Sequence, residues 1–485
     1  MPAENQTYDV VVIGAGPVGE NVADRAVAGG LTAAIVESEL VGGECSYWAC
    51  IPSKALLRSG DARRGALRVD GARQSVTGDL DVAAVLARRD SFVSDWDDAG
   101  QVEWLKSAGI DLVRGRGRLA GAREVAVATP DGEERRLTAR HAVVISTGTR
   151  ARIPDVPGLR EAKPWTNREA VEAKGAPASL AVIGGGAVAC ELAGAWADLG
   201  SDVTMLVRSD LLSGYEPFAA ELVGEGLSER GVTIRRGVSA SRVTRGEDGG
   251  VELALDDGTS LQVAELLVAA GREPRTDDLG LPGVGIERDG DWLPVDETLR
   301  VLGPDGEPVE WLYAVGDVNH RSLLTHQGKY QARAAGDVIA ARAQGGPVDD
   351  APWGVHAATA DHVAVTQVVF TDPQVASVGM TAAAAEEAGY STRVVDADLG
   401  GVSGAALHAD GYTGTARMVV DEERGVALGV TFVGQEVAEL AQSAAIAVAG
   451  EVPLARLWHA VPPFPTASEV WLRLLEAYGR PTAGA

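Results

Sequence analysis

Cys45 and Cys50, five positions apart in GGECSYWACIPSK at residues 42–54, are the residues whose type and spacing could most readily do chemistry. The chain holds three cysteines in all, so so close a pair calls for one of four readings: metal site, structural staple, redox couple or chance. A metal site needs further Cys or His at ligand spacing. Cys190 sits inside another candidate helix and the seven His are scattered, so no metal is expected. In a regular α-helix positions five apart are separated by roughly 8.6 Å, beyond the ~7 Å limit for a disulfide. The pair can bridge only where the backbone leaves the helix, and Gly42, Gly43 and Pro52 suit a strained helix start. Helix starts lower thiol pKa values, and strained bridges are the readily reduced ones. A redox couple fits best.

The elements around this pair are phosphate loops. Residues 8–37 read as an apolar strand, Gly14, Gly16 and Gly19 in GxGxxG, an Ala-rich helix, and a strand ending in Glu37. That is the pattern of a dinucleotide-binding βαβ unit, in which the glycines let a pyrophosphate approach the helix N-terminus and the acid holds a ribose hydroxyl. The pattern returns at 180–208 with Gly184, Gly186 and Ala189. Laid over the first copy without a gap, Glu37 falls on Val207 and Ser38 on Arg208. An apolar residue followed by Arg accommodates a 2′-phosphate where a carboxylate favours a free hydroxyl. The two loops should therefore bind different dinucleotides, the second NADPH in preference to NADH.

Between the copies, roughly 53–108 is expected to be helical, and a turn-rich β segment then ends in an apolar strand at Thr147 and Gly148. A similar strand closes the second unit at Gly271 and Arg272, and WLYAVGDV ends another at Gly316 and Asp317. From about 356 strands and helices alternate without a phosphate loop, which reads as a separate domain.

Bulk properties limit the alternatives. A chain of 485 residues fits two to four domains. The 43 basic and 69 acidic residues give a net charge of −26, which excludes a broad nucleic-acid surface. No stretch approaches 18 uncharged apolar residues, and the amino terminus shows no basic leader, so a cytoplasmic protein without a membrane partner is expected. The closing RPTAGA is expected to fray.

The first phosphate loop, GGxCxxxxCxPSK, the STG strand, the second loop, GRxP, YAxGD and LTH follow one another in the order and spacing of the FAD-dependent pyridine nucleotide-disulfide oxidoreductases. The chain resembles this family, that of glutathione reductase, lipoamide dehydrogenase and mercuric reductase, over nearly its whole length. VVFTDPQVASVGMT at 368–381 looks like the opening of the family's dimerisation domain. The resemblance implies an α/β fold with two Rossmann-like dinucleotide-binding domains, for FAD and NADPH, plus a C-terminal α+β dimerisation domain. The expected divisions are 1–155 and 275–355 for FAD, 156–274 for NAD(P)H and 356–485 for the interface. It implies FAD on Gly14, Gly16, Gly19, Glu37, the backbone near Gly117, Thr147, Gly148, Asp317 and Thr325. The nicotinamide donor would lie on Gly184, Gly186, Ala189, Arg208 and Gly271, with Lys54 and Glu191 as an ion pair beside the flavin ring. Cys50 would face the flavin, Cys45 would attack the acceptor, and the chain would be a homodimer.

One position departs from the family. Relatives place His-Pro-Thr near the C-terminus with a Glu five after the His; here HAVPPFPTASEVW keeps Glu469 but puts Phe464 at the His position. Phenylalanine moves no proton, and general acid catalysis is typically worth about 10²- to 10⁴-fold. His459 lies close in sequence as a substitute donor. No cysteine follows Cys190, which disfavours a mercuric reductase or a thiol-tailed thioredoxin reductase. Lipoamide dehydrogenase keeps the His and prefers NAD. Ser46, Tyr47, Trp48 and Ala49 replace the small residues usual between the cysteines, and the two large rings either pack beneath the flavin or wall the acceptor pocket. The leading expectation is an NADPH-dependent reductase of a small disulfide or activated thiol acceptor. The alternatives are a quinone or dioxygen reductase, a 2-oxopropyl-coenzyme M reductase-like enzyme, and a slow-cycling redox sensor.

Overall fold

The computed structural model describes residues 6–480. The extreme amino terminus and residues 481–485 of the tail expected to fray lie outside the described residues. The chain divides into two compact units. The first takes the described residues up to Pro52, then Asp90–Arg150 and Arg272–His362. The second takes Ser53–Arg89, Ala151–Gly271 and the described residues from Val363 onward.

In the first unit the run Val10, Val11, Val12 is wholly buried, as a strand covered on both faces of a parallel sheet must be. Gln6–Ile13 pairs in parallel with Ala33–Glu37 on one side and Glu134–Ile145 on the other. Ile110–Arg114 and Pro308–Ala314 extend the sheet in the same sense, and eight strands take part in all. Alternate residues face opposite ways. Val10 and Val12 join Val22, Ala26, Ala335 and Val338 of the covering helices; Val11 and Ile13 pack with Val125, Val127 and Leu119 of the antiparallel strands Arg116–Gly121 and Glu124–Ala128.

The covering helices, Pro17–Ala28 and Thr325–Ala343, approach closely because small residues line their contact. A side chain begun at Gly328 would meet Val18 Cγ2 at 2.6 Å, and one at Gly336 would meet Arg25 Cβ at 2.5 Å. The Arg25–Asp337 ion pair, at 2.6 Å, fixes the same register.

In the second unit, Thr233–Arg236, Asp202–Val207, Ser179–Ile183 and Glu265–Val268 form a four-stranded parallel sheet in that order. The strand, loop and helix repeat the first unit without a gap: Pro17–Ala28 and Ala187–Asp198 each have twelve residues and begin three after the first loop glycine. Five antiparallel strands, Thr366–Val369, Gln374–Gly379, Val426–Gly434, Thr415–Asp421 and Thr392–Asp398, form a further sheet. Its Val369, Val375 and Val433 share a core with Leu180, Val182 and Trp196 of the parallel layer.

The stretch 53–108 is less continuous than expected. Cys50–Leu67, Val82–Phe92 and Ala99–Ser107 are helical. Ser94, Asp95 and Trp96 interrupt them with φ of 50°, 51° and 60°. No helix of the described residues is long and apolar enough to cross a membrane.

Candidate active site

The backbone breaks between the two cysteines. Gly43–Tyr47 is one short helix, Trp48 leaves it at φ −134°, and Cys50 begins the next, Cys50–Leu67. Cys45 and Cys50 are thus in different helices rather than five positions along one. They are not bonded to each other, and the two thiols lie near one another. Thr325 Oγ1 lies 3.5 Å from Cys50 Sγ. Hydrogen bonding to Cys50 and then burial push the Cys45 thiol far above its ordinary range, against the hydroxyl of Thr325 and the charge of Lys329. Cys190 differs: fully buried, and pushed up to about 12 by that burial, it is a packing residue.

Tyr47 and Trp48 pack with Val93, Leu40 and Trp96. Both rings are buried in this cluster.

The first phosphate loop fits a dinucleotide. Gly14 has φ +103°, and a Cβ there would sit 2.3 Å from the Ser146 carbonyl. A Cβ on Gly19 would sit 2.0 Å from the Gly14 carbonyl, so only glycine brings helix and strand this close. Gly16 opens the helix Pro17–Ala28 without a side-chain cap, and the space where its Cβ would stand is free for 4 Å. Unpaired N–H groups and an open cradle are what a pyrophosphate requires.

Glu37 ends its strand with Oε2 accepting from the Ala15 N–H and Oε1 from the Glu39 N–H, each at 2.7 Å. Burial nevertheless holds its pKa above the usual range. Gly117 lies buried against Val36 and Ile13 beneath the same strand ends. Thr147 Oγ1 is buried with no hydrogen-bond partner among the described residues, and Gly148 beside it has φ +66° with open space outside. Asp317 accepts from the Thr149 hydroxyl at 2.7 Å, and burial pushes its carboxyl up. An orphaned hydroxyl, a carboxylate with a free edge and the uncapped helix suit FAD.

In the second unit Gly184 repeats the turn with φ +139° against the Ala269 carbonyl, 2.3 Å from a built Cβ. Gly186 caps Ala187–Asp198 with no side-chain bond and open space, and Ala189 is fully buried. Gly271 has φ +111° and nothing within 4 Å. Arg208, just past Asp202–Val207, is exposed. Lys54 Nζ lies 2.6 Å from Glu191 Oε2, while Glu191 Oε1 accepts from the Phe370 N–H at 2.9 Å. Lys54 also lies 4.9 Å from the Phe370 ring centroid.

Phe464 is 73% exposed and Val461 83%. Glu469 is buried, its Oε2 without a hydrogen-bond partner among the described residues and its Oε1 3.9 Å from Arg473. His459 is exposed. Some neighbours of the site escape a reading of the sequence. Thr149 receives Arg272 Nε at 2.5 Å, Glu44 lies 3.8 Å from Arg272 and 3.7 Å from Arg275, Glu20 Oε1 is buried without a hydrogen-bond partner among the described residues, and Lys329 follows Thr325 by one turn. The acid and the base one turn into their helices, in GPVGE and LTHQGK, were the available signal.

The chain belongs to the pyridine nucleotide-disulphide oxidoreductase family, which matches it over residues 8–345, with the family's dimerisation domain matching residues 365–474. It is an NAD(P)H-dependent flavoprotein disulfide oxidoreductase of the class I kind, and the dimerisation domain implies a homodimer. It is similar to dihydrolipoyl dehydrogenase of Haloferax volcanii, 34% identical over 481 residues that cover 96% of this chain and 95% of that one. Mercuric reductase of Acidithiobacillus ferrooxidans is 32% identical over 471 residues, 96% of this chain and 82% of that one. Among solved structures, the HOCl-induced flavoprotein disulfide reductase RclA of Escherichia coli shares the fold with a TM-score of 0.81 at 22% identity, covering 97% of this chain and 99% of that one. LpdA of Mycobacterium tuberculosis does so with a TM-score of 0.82 at 24% identity, covering 98% and 100%.

Proposed function

We propose that this protein passes electrons from NADPH through FAD to the Cys45/Cys50 couple, and from there to a small disulfide whose leaving thiol needs no proton donor. The observation that carries this reading is the nearness of two thiols across a backbone break, with Thr325 Oγ1 3.5 Å from Cys50 Sγ. Bound FAD would supply the hydride and electron-pair chemistry between the nicotinamide and the Cys45–Cys50 disulfide.

The residues do the rest. Glu37 and the uncapped N-terminus at Gly16 hold ribose and pyrophosphate, with Gly117, Thr147, Gly148 and Asp317 lining the remainder of the FAD site. Gly184, Gly186, Ala189 and Gly271 do the corresponding work for the nicotinamide nucleotide, and Arg208 meets the 2′-phosphate. The Lys54–Glu191 pair would supply an ammonium to a bound flavin, Lys54 following Cys50 on one helix. Opening the disulfide takes two electrons and one proton and leaves one thiol and one thiolate. Cys45 as thiolate attacks one sulfur of the acceptor, forming a mixed disulfide and expelling the first thiolate. Cys50 then attacks Cys45, the internal disulfide re-forms and the second acceptor thiolate leaves. NADPH, a proton and one disulfide give NADP⁺ and two thiols.

Phe464 brings no proton to the leaving group, and Glu469 is enclosed beside Arg473. Acceptors with acidic thiols are accordingly favoured. Direct transfer from the flavin to a quinone or dioxygen is the second reading, favoured by that same absence of a donor at Phe464.

Replacing Cys45 with serine separates the readings. Loss of NADPH-dependent disulfide turnover with flavin reduction intact is expected; disulfide turnover at the parental rate would overturn the proposal. A parent enzyme that turns over quinones and no disulfide would establish the second reading.

A further inference from the structure

Lys54 and Glu191 stand on two helices of the second unit that are tied together twice. Each lies in the early turns of its helix, Cys50–Leu67 and Ala187–Asp198, and Lys54 Nζ is 2.6 Å from Glu191 Oε2. Farther along the same helices Arg64 contacts Asp198. By the helix rise this second tie lies roughly 15 Å beyond Lys54 on one helix and about 10 Å beyond Glu191 on the other. From the stretches between the ties, Leu56, Leu57, Leu192 and Ala193 enter one buried core.

The second tie requires Gly60. A Cβ there would stand 2.1 Å from Asp198 Oδ2 and 3.1 Å from Arg64 Nη1, so any side chain would force the carboxylate off the guanidinium. A third segment joins both ties. The Phe370 N–H donates to Glu191 Oε1 at 2.9 Å, and the Phe370 ring centroid lies 4.9 Å from Lys54. Two residues on, Asp372 Oδ2 lies 2.7 Å from Arg64 Nε. Arg64 therefore holds Asp198 through Nη1, Asp372 through Nε and Asp61 through Nη2, the last at 2.6 Å. Its side chain is 14% exposed, so this is no solvated surface pair. A guanidinium engaged through all three nitrogens fixes an orientation that lysine cannot reproduce. Stability alone accounts for the arginine but not for Gly60, since a glycine weakens the interior of the helix it occupies.

We propose that Arg64, Asp198 and Gly60 are positioning residues for Lys54. They lock the two helices and the segment 370–372 in the register at which the ammonium meets Glu191, and so set the charge offered to a bound flavin. The inference rests on Lys54 serving the flavin, as proposed above, and adds how that charge is held in place.

The test is the reduction midpoint of the flavin in the holoenzyme, measured anaerobically against redox dyes once the Cys45–Cys50 disulfide has been reduced, with urea midpoints taken on the same preparations. A cation beside the flavin favours its electron-rich reduced form. K54M should lower the equilibrium constant for flavin reduction about tenfold, a shift of about 30 mV for a two-electron couple. G60A should lower it several-fold in the same direction, although alanine is the better helix former. R64K keeps the charge but loses the fork and should do likewise, which separates geometry from the field of a distant cation. The double variant K54M G60A should match K54M, because a residue that acts through Lys54 has no effect once Lys54 is gone. A G60A flavin midpoint equal to the parent's overturns the inference, as does a further fall in the double variant. Lower urea midpoints with the flavin midpoint unmoved would make the network a stabiliser of the fold and nothing more. Should G60A not fold, R64K and K54M R64K decide it alone. If K54M leaves the flavin midpoint unmoved, the role proposed for Lys54 falls; if K54M moves it while G60A and R64K do not, this inference falls by itself.

Discussion

Asp372 and Arg64 meet through Oδ2 and Nε at 2.7 Å in the interior of the second unit. Arg68 reaches the same carboxylate oxygen at 2.8 Å, and Arg230 donates to the Asp372 carbonyl at 3.0 Å. Arg64 also contacts Asp61 at 2.6 Å and Asp198. Residues of the helices Cys50–Leu67 and Ala187–Asp198 are thereby tied to the turn before Gln374–Gly379.

Burial would raise the Asp372 carboxyl, but Arg68, Arg230 and Arg64 together outweigh it and hold the pKa below the usual range. Its contribution to stability is therefore present above the ordinary carboxyl pKa of about 3.9 and is lost as pH falls through the lower folded value. D372N leaves three arginines short of a partner and should cost about 3 kcal/mol at pH 7. Urea midpoints measured from pH 7 down to about pH 3 should converge for parent and variant at the acid end. Parallel curves would show that this carboxylate does not carry the acid sensitivity.

Arg208 stands exposed where the first unit has Ser38. Removing a charge-assisted contact to phosphate typically costs about 1.5–3 kcal/mol, so R208A should lower kcat/KM for NADPH by about ten- to a hundredfold. The value for NADH should change by less than about threefold, since that nucleotide offers no 2′-phosphate. Equal losses for both nucleotides would assign Arg208 to general folding.

Phe464 is the position where a proton donor can be restored. F464H should raise turnover of simple alkyl disulfides by up to about 10²-fold and leave acceptors with acidic thiols nearly unaffected. Phe464 is 73% exposed in the single chain, so the substitution leaves no cavity within a subunit. Unchanged rates on both acceptor classes would mean that the leaving group is not limiting.

Much of this was legible from local spacing. The glycine loops are dictated by backbone geometry that a short window records, which is why Gly14 and Gly184 fall in matching turns. The break between Cys45 and Cys50 follows from helix pitch and disulfide reach alone. What a window cannot record is contact between distant segments. Lys54 meets Glu191 across 137 positions and Cys50 meets Thr325 across 275; family resemblance, not spacing, named the first pair, and it assigned Thr325 to FAD rather than to Cys50. Gly328 matches no motif, yet it lets the helices Pro17–Ala28 and Thr325–Ala343 touch at Val18. The three left-handed residues Ser94–Trp96 were missed because none is glycine, asparagine or proline, the usual punctuation of a chain. The burial of Tyr47 and Trp48 depended on Val93 and Trp96, which follow after a further helix.

The interruption at Trp48 carries a mechanical consequence. Since the kink is already in place with the sulfurs unjoined, making and severing their bond demands torsions at two side chains and no unwinding of either neighbouring helix. The rings of Tyr47 and Trp48, packed with Val93 and Trp96, brace that kink from the interior.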